Sequence, residues 1–355
     1  MNGKKKVNEE TTVTIYDIAK AAGVSVGTVS RALNRIGYVH PDTRIRIEEA
    51  AASLNYIPNR AARTLKTKKT GLILLAIPDM DNPFYFDMIK SVQEVTQANG
   101  CSMILYYTGG KASEEIKALK MLRQGYADGM ILVNFSYTSR HEAEIKLISA
   151  PLVLTCLSKG YLGGHDEDRF DYIGVDAEKG IYLAVRHLAQ QGHVRIGYIA
   201  GPHHIDLFKE RHQGYVNALR DSGLAYDKDL AYWCHYTEPS SYDAINSFFS
   251  LKSPPTAVCC ANDIMALGAF CALKDKNIRI PEDVSIVGMD NIDTTWKVTP
   301  PLSTVAIAQA EIGRKAAELL FKRLDDSGKG PIRSKRVIFE PRLIVRESSI
   351  YYRHE

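Results

Sequence analysis

"TIYDIAKAAGVSVGTVSRALN", Thr14 to Asn34, is the stretch on which the reading of this chain turns. Thr14 is placed to cap a helix, with Asp17 three residues on as its capping-box partner. Ile15, Ile18 and Ala19 follow at i, i+3 and i+4 and so share one face. Gly23 stands where a left-handed residue would close that helix, a conformation glycine adopts without a Cβ clash. Ser25 is placed to cap a second helix, on which Val29 and Leu33 recur at i, i+4 with Ala32 beside them. The rest of its surface is left to Ser25, Val26, Gly27, Thr28, Ser30, Arg31 and Asn34. Two short amphipathic helices joined by a tight turn make a helix–turn–helix. The outward side of the second helix is small, hydroxylic and basic. It can approach a major groove closely, and Arg31 can reach a guanine edge with two hydrogen bonds. A plain helical hairpin with a solvated face would share part of this pattern.

The residues that follow strengthen the DNA-binding reading. Pro41 fits the first turn of a third helix, to which Ile45, Ile47, Ala50, Ala51 and Leu54 give apolar surface, and Pro58 is expected to end it. Residues 60–69 then carry Arg60, Arg63, Lys66, Lys68 and Lys69, cations that phosphates attract. Ala61, Ala62 and Leu65 form a small apolar stripe between them. The chain of 355 residues has a net charge of only +4, but the charge is unevenly placed. Residues 1–70 hold 13 Lys+Arg against 6 Asp+Glu, and the remainder holds 32 against 35. This describes a polyanion-binding head on a near-neutral body, although a solvated basic tail would also produce it.

From Gly71 onward, short apolar runs alternate with helical patterns. "GLILLAI", "CSMILYY", "DGMILV" and "PLVLT" read as strands of a first series, and "DYIGVD", "RIGYIA", "TAVCCA" and "VSIVGM" as strands of a second. Helical stretches such as "FDMIKSVQEVTQANG" and "DIMALGAFCALKDKN" separate many of them. Alternation of this kind means parallel sheets covered by helices, here as two Rossmann-like lobes. Ligands of such sheets bind beyond the C-terminal ends of the strands, so two facing lobes create a cleft. Polar and aromatic residues collect just after strands: Asp79, Asp81, Phe84 and Tyr85 after the first, Arg211 at the start of a helix, Asn262 and Asp263 after "TAVCCA", and Asp290 and Asn291 after "VSIVGM". Helix capping by Asn262 or Asp263 and an ion pair for Arg211 are the competing readings. Trp233 and Trp296 could stack on a ring or simply pack in the core.

Catalytic patterns are missing. The sequence contains no GxxxxGK[ST] loop, no GxSxG elbow and no HExxH helix. His203, His204 and His212 lack zinc-ligand spacing, and the six cysteines show no CxxC pair, so no metal or cofactor is expected and the thiols read as free and reduced. Lys4, Lys5 and Lys6 are not followed by an apolar export segment, and no run approaches the roughly 20 apolar residues of a membrane span. A cytoplasmic protein is expected.

Taken in order, "TIYDIAKAAGVSVGTVSRALN", "YIPNRAARTL" and the two-lobed body resemble the lactose-repressor (LacI/GalR) family of bacterial transcription regulators, and the resemblance covers nearly the whole chain after about Thr12. It implies a fold class of α/β type: an all-α helix–turn–helix head over residues 1–58, a hinge over 59–70, and over 71–355 a periplasmic-binding-protein-like core whose chain crosses between lobes three times. It implies DNA contacts from Thr14, Tyr16, the outward residues of the second helix, Tyr38, and hinge residues Asn59, Arg60 and Ala62, with Leu65 wedging into a base step. It also implies an effector site at Arg211, Asn262 and Asp290, with Phe84 and Tyr85 packing on the ligand; Asp79 and Trp296 complete the candidate set. His40, where the family often has Ser, and "TCLSKG" (155–160), where many members carry an Asp-Arg pair, depart from the pattern. The expected function is that of a dimeric, sequence-specific regulator, a repressor of carbohydrate genes acting on a palindromic double-stranded operator and controlled by a small effector, a sugar. A regulator responding to a purine, a nucleoside or a partner protein is the alternative, with a sugar-transport receptor or an enzyme behind it. "IYYRHE" (350–355) is too short and polar for a heptad seam, so assembly is expected to stop at the dimer.

Overall fold

The computed structural model describes residues 13–57, 64, 69–135, 137–155, 170–326 and 333–350. Contacts divide the chain into two compact units, Met1–Thr70 and Gly71–Glu355.

The first unit contains α1 (Ile15–Ala22), α2 (Val26–Asn34) and α3 (Pro41–Ser53). The Asp17 carboxylate accepts from the Thr14 backbone N–H at 2.8 Å and from its hydroxyl at 2.7 Å, which secures the first helix end. Gly23 closes α1 at φ 65°. Ser25 Oγ accepts from Thr28 N at 3.1 Å and starts α2. Ile18, Val29, Ala32 and Ile47 are buried together and make the small core on which the three helices rest. Two expectations are corrected. The third helix ends at Ser53, ahead of Pro58, because Asn55 adopts the left-handed conformation at φ 50° and turns the chain there. Ile45 is 52% exposed. The inward face of α3 is Ile47, Ala50, Ala51 and Leu54, an i, i+3, i+4, i+7 set, and a residue two positions before Ile47 points the other way.

The second unit holds two six-stranded sheets. The first has the order β11-β5-β4-β3-β1-β2 and is built from β1 (Leu72–Ile77), β2 (Ser102–Tyr107), β3 (Gly129–Val133), β4 (Leu152–Thr155), β5 (Asp171–Val175) and β11 (Arg336–Phe339). All its pairings are parallel, with Leu72 opposite Ser102 and Ile73 opposite Gly129. The second sheet has the order β12-β10-β9-β8-β6-β7. Its strands are β6 (Ile196–Ala200), β7 (Ala231–Trp233), β8 (Ala257–Cys260), β9 (Ser285–Asp290), β10 (Ser303–Ala306) and β12 (Arg342–Ile344), with β12 antiparallel to β10. Strands such as β3 and β6 are buried along their whole length, as expected for parallel strands covered on both faces. The covering helices are α4 (Phe86–Ala98), α5 (Ala112–Arg123), α6 (Ser139–Ile145), α7 (Ala177–Gln190), α8 (Asp206–Asp221), α9 (Glu238–Phe248), α10 (Asp263–Asp275) and α11 (Gln309–Asp325).

The chain passes between the sheets three times. After β5 it crosses through α7, which packs on α8 and the second sheet. After β10 it crosses back through α11, which packs on α4 and on β3, β4 and β5. The last passage runs from β11 to β12. Buried Arg323 fixes the second crossing helix, donating to both oxygens of buried Asp171 on β5 at 2.6 and 2.9 Å. No helix among the described residues is long and apolar enough to cross a membrane.

Candidate DNA-binding face and interlobe site

On the head, the expected contact face is mostly available. Ser25, Gly27 and Arg31 are exposed, and Thr28, Ser30 and Asn34 are half-buried. Tyr16 and Tyr38 are 71% and 82% exposed. Several of these groups are tied locally. Asn34 Nδ2 donates to Ser30 O at 2.8 Å, and Thr14 is committed to its capping box. Val26 is half-buried against the head core, so its side chain offers only part of its surface outward. Asn59, Arg60, Ala62 and Leu65 lie outside the described residues, as do Cys156 to Gly160 of the departing segment.

In the body, strand order selects the site. Each sheet reverses its order of addition at its first strand, between β1 and β3 and between β6 and β8, and crevices open beyond the C-terminal ends there. Asn82, Phe84 and Tyr85 follow β1, Phe135 follows β3, Arg211 lies on α8 after β6, Tyr236 follows β7, and Asp290 ends β9. All of them line one cavity, partly open to solvent. Phe84 and Tyr85 meet edge to face at 4.9 Å, and Phe208 braces the Tyr236 ring at 4.9 Å.

The polar groups of this cavity are buried and incompletely satisfied. Arg211 Nη1 donates to Ala261 O at 2.6 Å and to the Tyr236 hydroxyl at 2.5 Å, while its Nε is buried without a partner. Asp290 is 4% exposed and its Oδ1 has no partner. Burial pushes the Asp290 carboxyl well above the usual carboxylate range, and neighbouring Arg211 opposes that shift. Burial disfavours the Arg211 charge, but its polar neighbours, Tyr236 first, more than offset it and the guanidinium stays protonated. Asp290 is also at φ 133°, followed by Asn291 at φ 61°, so non-glycine backbone is held in costly conformations at the cleft. Asp263 supports this turn from behind. Its carboxylate accepts from Thr304 Oγ1 at 2.6 Å and from Ile292 N at 3.0 Å.

Three expected effector residues are not on the cavity wall. Asn262 is fully buried as the cap of α10, its Oδ1 accepting from Met265 N at 2.8 Å, although its Nδ2 has no partner. Asp79 Oδ1 accepts from Asp81 N at 2.9 Å and closes a local turn. Trp296 is 58% exposed, donates to Asp293 at 2.8 Å and carries the Lys297 ammonium 5.2 Å from its ring centre. Trp233 packs against His203 and His212 at 4.7 and 5.0 Å, the core role. Tyr236, Phe135 and Asn82 are wall residues that the sequence reading did not single out. Among the described residues no cluster of three or more His, Cys, Asp or Glu is arranged to hold a metal.

A family model for bacterial regulatory proteins of the lacI family matches residues 14–59, and one for a periplasmic binding protein-like domain matches residues 185–349. The chain is 32% identical over 338 residues to the HTH-type transcriptional repressor PurR of Pasteurella multocida, covering 94% of this chain and 98% of that protein. It is 34% identical over 337 residues to the ribose operon repressor of Haemophilus influenzae, with the same coverage of both. Its fold matches the lac repressor dimer bound to operator and an anti-inducer with a TM-score of 0.83 and 25% identity, covering 96% of this chain and all of that one. Head, cleft and likeness agree: the chain belongs to the lacI family of bacterial regulatory proteins and is a DNA-binding transcriptional repressor.

Proposed function

We propose that this repressor controls carbohydrate-utilisation genes and that a small ring compound, a sugar, regulates it by binding between the lobes. One observation carries the reading. Two buried groups of opposite polarity, Arg211 Nε and Asp290 Oδ1, lack partners on the wall of the same cavity. An unsatisfied buried polar group costs about 1–3 kcal/mol, and a ligand whose hydroxyls both donate and accept would remove that cost at both. Phe84, Tyr85, Phe135 and Tyr236 supply ring faces beside these anchors. The same four aromatics favour a second reading, in which the ligand is a purine base or nucleoside.

The DNA side of the proposal is a homodimer in the cytoplasm on a palindromic operator. In it Ser25, Gly27, Thr28, Ser30, Arg31 and Asn34 face the major groove, Asn59, Arg60 and Ala62 lie along the backbone, and Leu65 is the minor-groove wedge. Effector binding alters how the lobes close, and each ligand changes the affinity for the other by the same factor. Calorimetric titration with pentoses, hexoses, purine bases and nucleosides, beside an operator-binding assay, tests it. One of these classes should bind the wild type. Arg211→Ala or Asp290→Ala should weaken that binding by about 1.5–3 kcal/mol while operator affinity without ligand persists. If both variants bind the ligand as the wild type does, the anchor assignment is wrong.

A further inference from the structure

The cleft continues past the inner cavity into a second compartment whose chemistry differs. It is roomier and open to solvent, and shares Phe84, Asp290 and Ile307 with the inner cavity. Its own wall adds Asp87 from the first turn of α4, Asp293, Gln309 and Glu311. Gln309, the first residue of α11, is only 7% exposed, yet neither its Oε1 nor its Nε2 has a partner. A buried amide with two idle ends is costly to keep and marks a place where a ligand supplies both a donor and an acceptor. Ala308, which precedes it, provides no side-chain cap for the helix end. Of the four carboxyl groups in the described lining, Asp290 is the one that burial pushes up and Asp293 is paired with Lys297, which leaves Asp87 and Glu311 to meet a ligand.

We infer that the effector is a two-part, unphosphorylated molecule. One ring sits against Arg211 and Asp290, and a second part bearing hydroxyl or amine groups sits on Gln309, Asp87 and Glu311. This inference rests on the effector reading given above and narrows it. Asp290 faces both compartments and so stands at the junction of the two parts. The amide of Gln309 matches a hydroxyl, which donates and accepts at once. Asp87 and Glu311 accept from hydroxyls or ammonium groups, and they repel a phosphate or carboxylate placed beside them. A disaccharide and a nucleoside both meet the description.

The test pairs each two-part ligand with its one-part fragment and with its phosphorylated form: disaccharides with their monosaccharides and sugar phosphates, and nucleosides with their free bases and 5′-phosphates. Full-length protein is titrated calorimetrically. The two-part ligand should bind ~10-fold or more tighter than its fragment, and the phosphorylated form should bind more weakly than either. Gln309→Ala and Asp87→Asn should each shrink the ratio of two-part to one-part affinity, a readout that general damage to folding would not move selectively. Fragment binding as tight as that of the two-part ligand, or a ratio unchanged in both variants, overturns this inference and leaves the effector reading intact. If no ring ligand binds, the effector reading falls and this one with it.

Discussion

Arg31 is exposed on α2, and its nearest side-chain partner, Thr28 Oγ1, is 3.5 Å from Nη2, too long to hold the guanidinium. It is free to reach a base edge with its bidentate fork. Arg31→Ala should cost about 1–3 kcal/mol of operator binding and relax preference at one operator position, whereas loss of a phosphate-binding lysine should weaken all sequences alike. Binding-site selection that returns the wild-type consensus with Arg31→Ala would remove the arginine from base reading. At this same scale the proposed effector site was only partly legible. Phe84 and Tyr85 could be found because they stand just beyond a strand, Asp290 because it closes one, and Arg211 because it belongs to the helix after β6, although it lies inside that helix and not at its start; all four reach the cavity. Asp79 follows the same strand as Phe84 and misses it, because distance from a strand end does not say which way a turn aims its side chains; Trp296, read as a ring that could stack, misses it too. Tyr236 was hidden for another reason. It follows β7, three residues long, too short to leave a periodic signal in the sequence.

The three helix starts of the head and the end of α1 were legible almost to the residue, because each carries its own start or stop chemistry: the Thr14–Asp17 box, Gly23, Ser25 and Pro41; the end of α3, set by Asn55 and not by Pro58, was not. In the body the reading caught the long buried strands and lost α6, α9, α11, β7 and β10 to β12. Half of α9, "EPSSYDAINSF", is polar, and its place is set by close packing against α10, where a Cβ on Gly268 would come within 2.3 Å of Glu238 O. Such tertiary constraints leave no local pattern. The third helix of the head offers a test of packing over composition. Ile45 and Ile47 are chemically identical, but Ile47 is wholly buried and Ile45 is half exposed. Ile47→Ala should destabilise the head by about 2–5 kcal/mol, and Ile45→Ala by no more than about 0.5 kcal/mol. Thermal unfolding followed by operator affinity distinguishes them, and equal costs would mean that α3 does not rest on the face described.

At the scale of the whole molecule, stability should depend on two buried histidines that fasten the first crossing helix to the second sheet. His187 on α7 pairs through Nε2 with Ser349 Oγ at 2.8 Å, and Ser349 reaches Ser303 on β10 at 2.7 Å. His193, just beyond α7, bonds Thr256 Oγ1 through Nδ1 and Ser285 Oγ through Nε2, each at 3.0 Å. Burial pushes both imidazoles down, and His193, with His187 nearby, falls to about 4. Above the unfolded value of about 6.5, both histidines are neutral in either state and add no pH dependence. Between that value and about 4 for His193, the unfolded chain takes up a proton that the folded chain refuses, so stability falls as pH falls. The loss from His193 alone can reach about 3 kcal/mol. Asp263 works in the opposite direction. Burial raises its carboxyl to about 6, so stability is gained as pH falls from there towards the ordinary aspartate value. The two trends overlap, and a wild-type pH profile alone would hide both. His193→Gln keeps a polar group that can meet the two hydroxyls and removes the titration. In denaturant unfolding, the wild type minus variant difference should be constant above about pH 7 and should fall by up to about 3 kcal/mol on reaching pH 4. A difference that stays flat across that window would mean that His193 is protonated as readily in the folded protein as in the unfolded chain, and that the crossing helix is not held by a neutral imidazole.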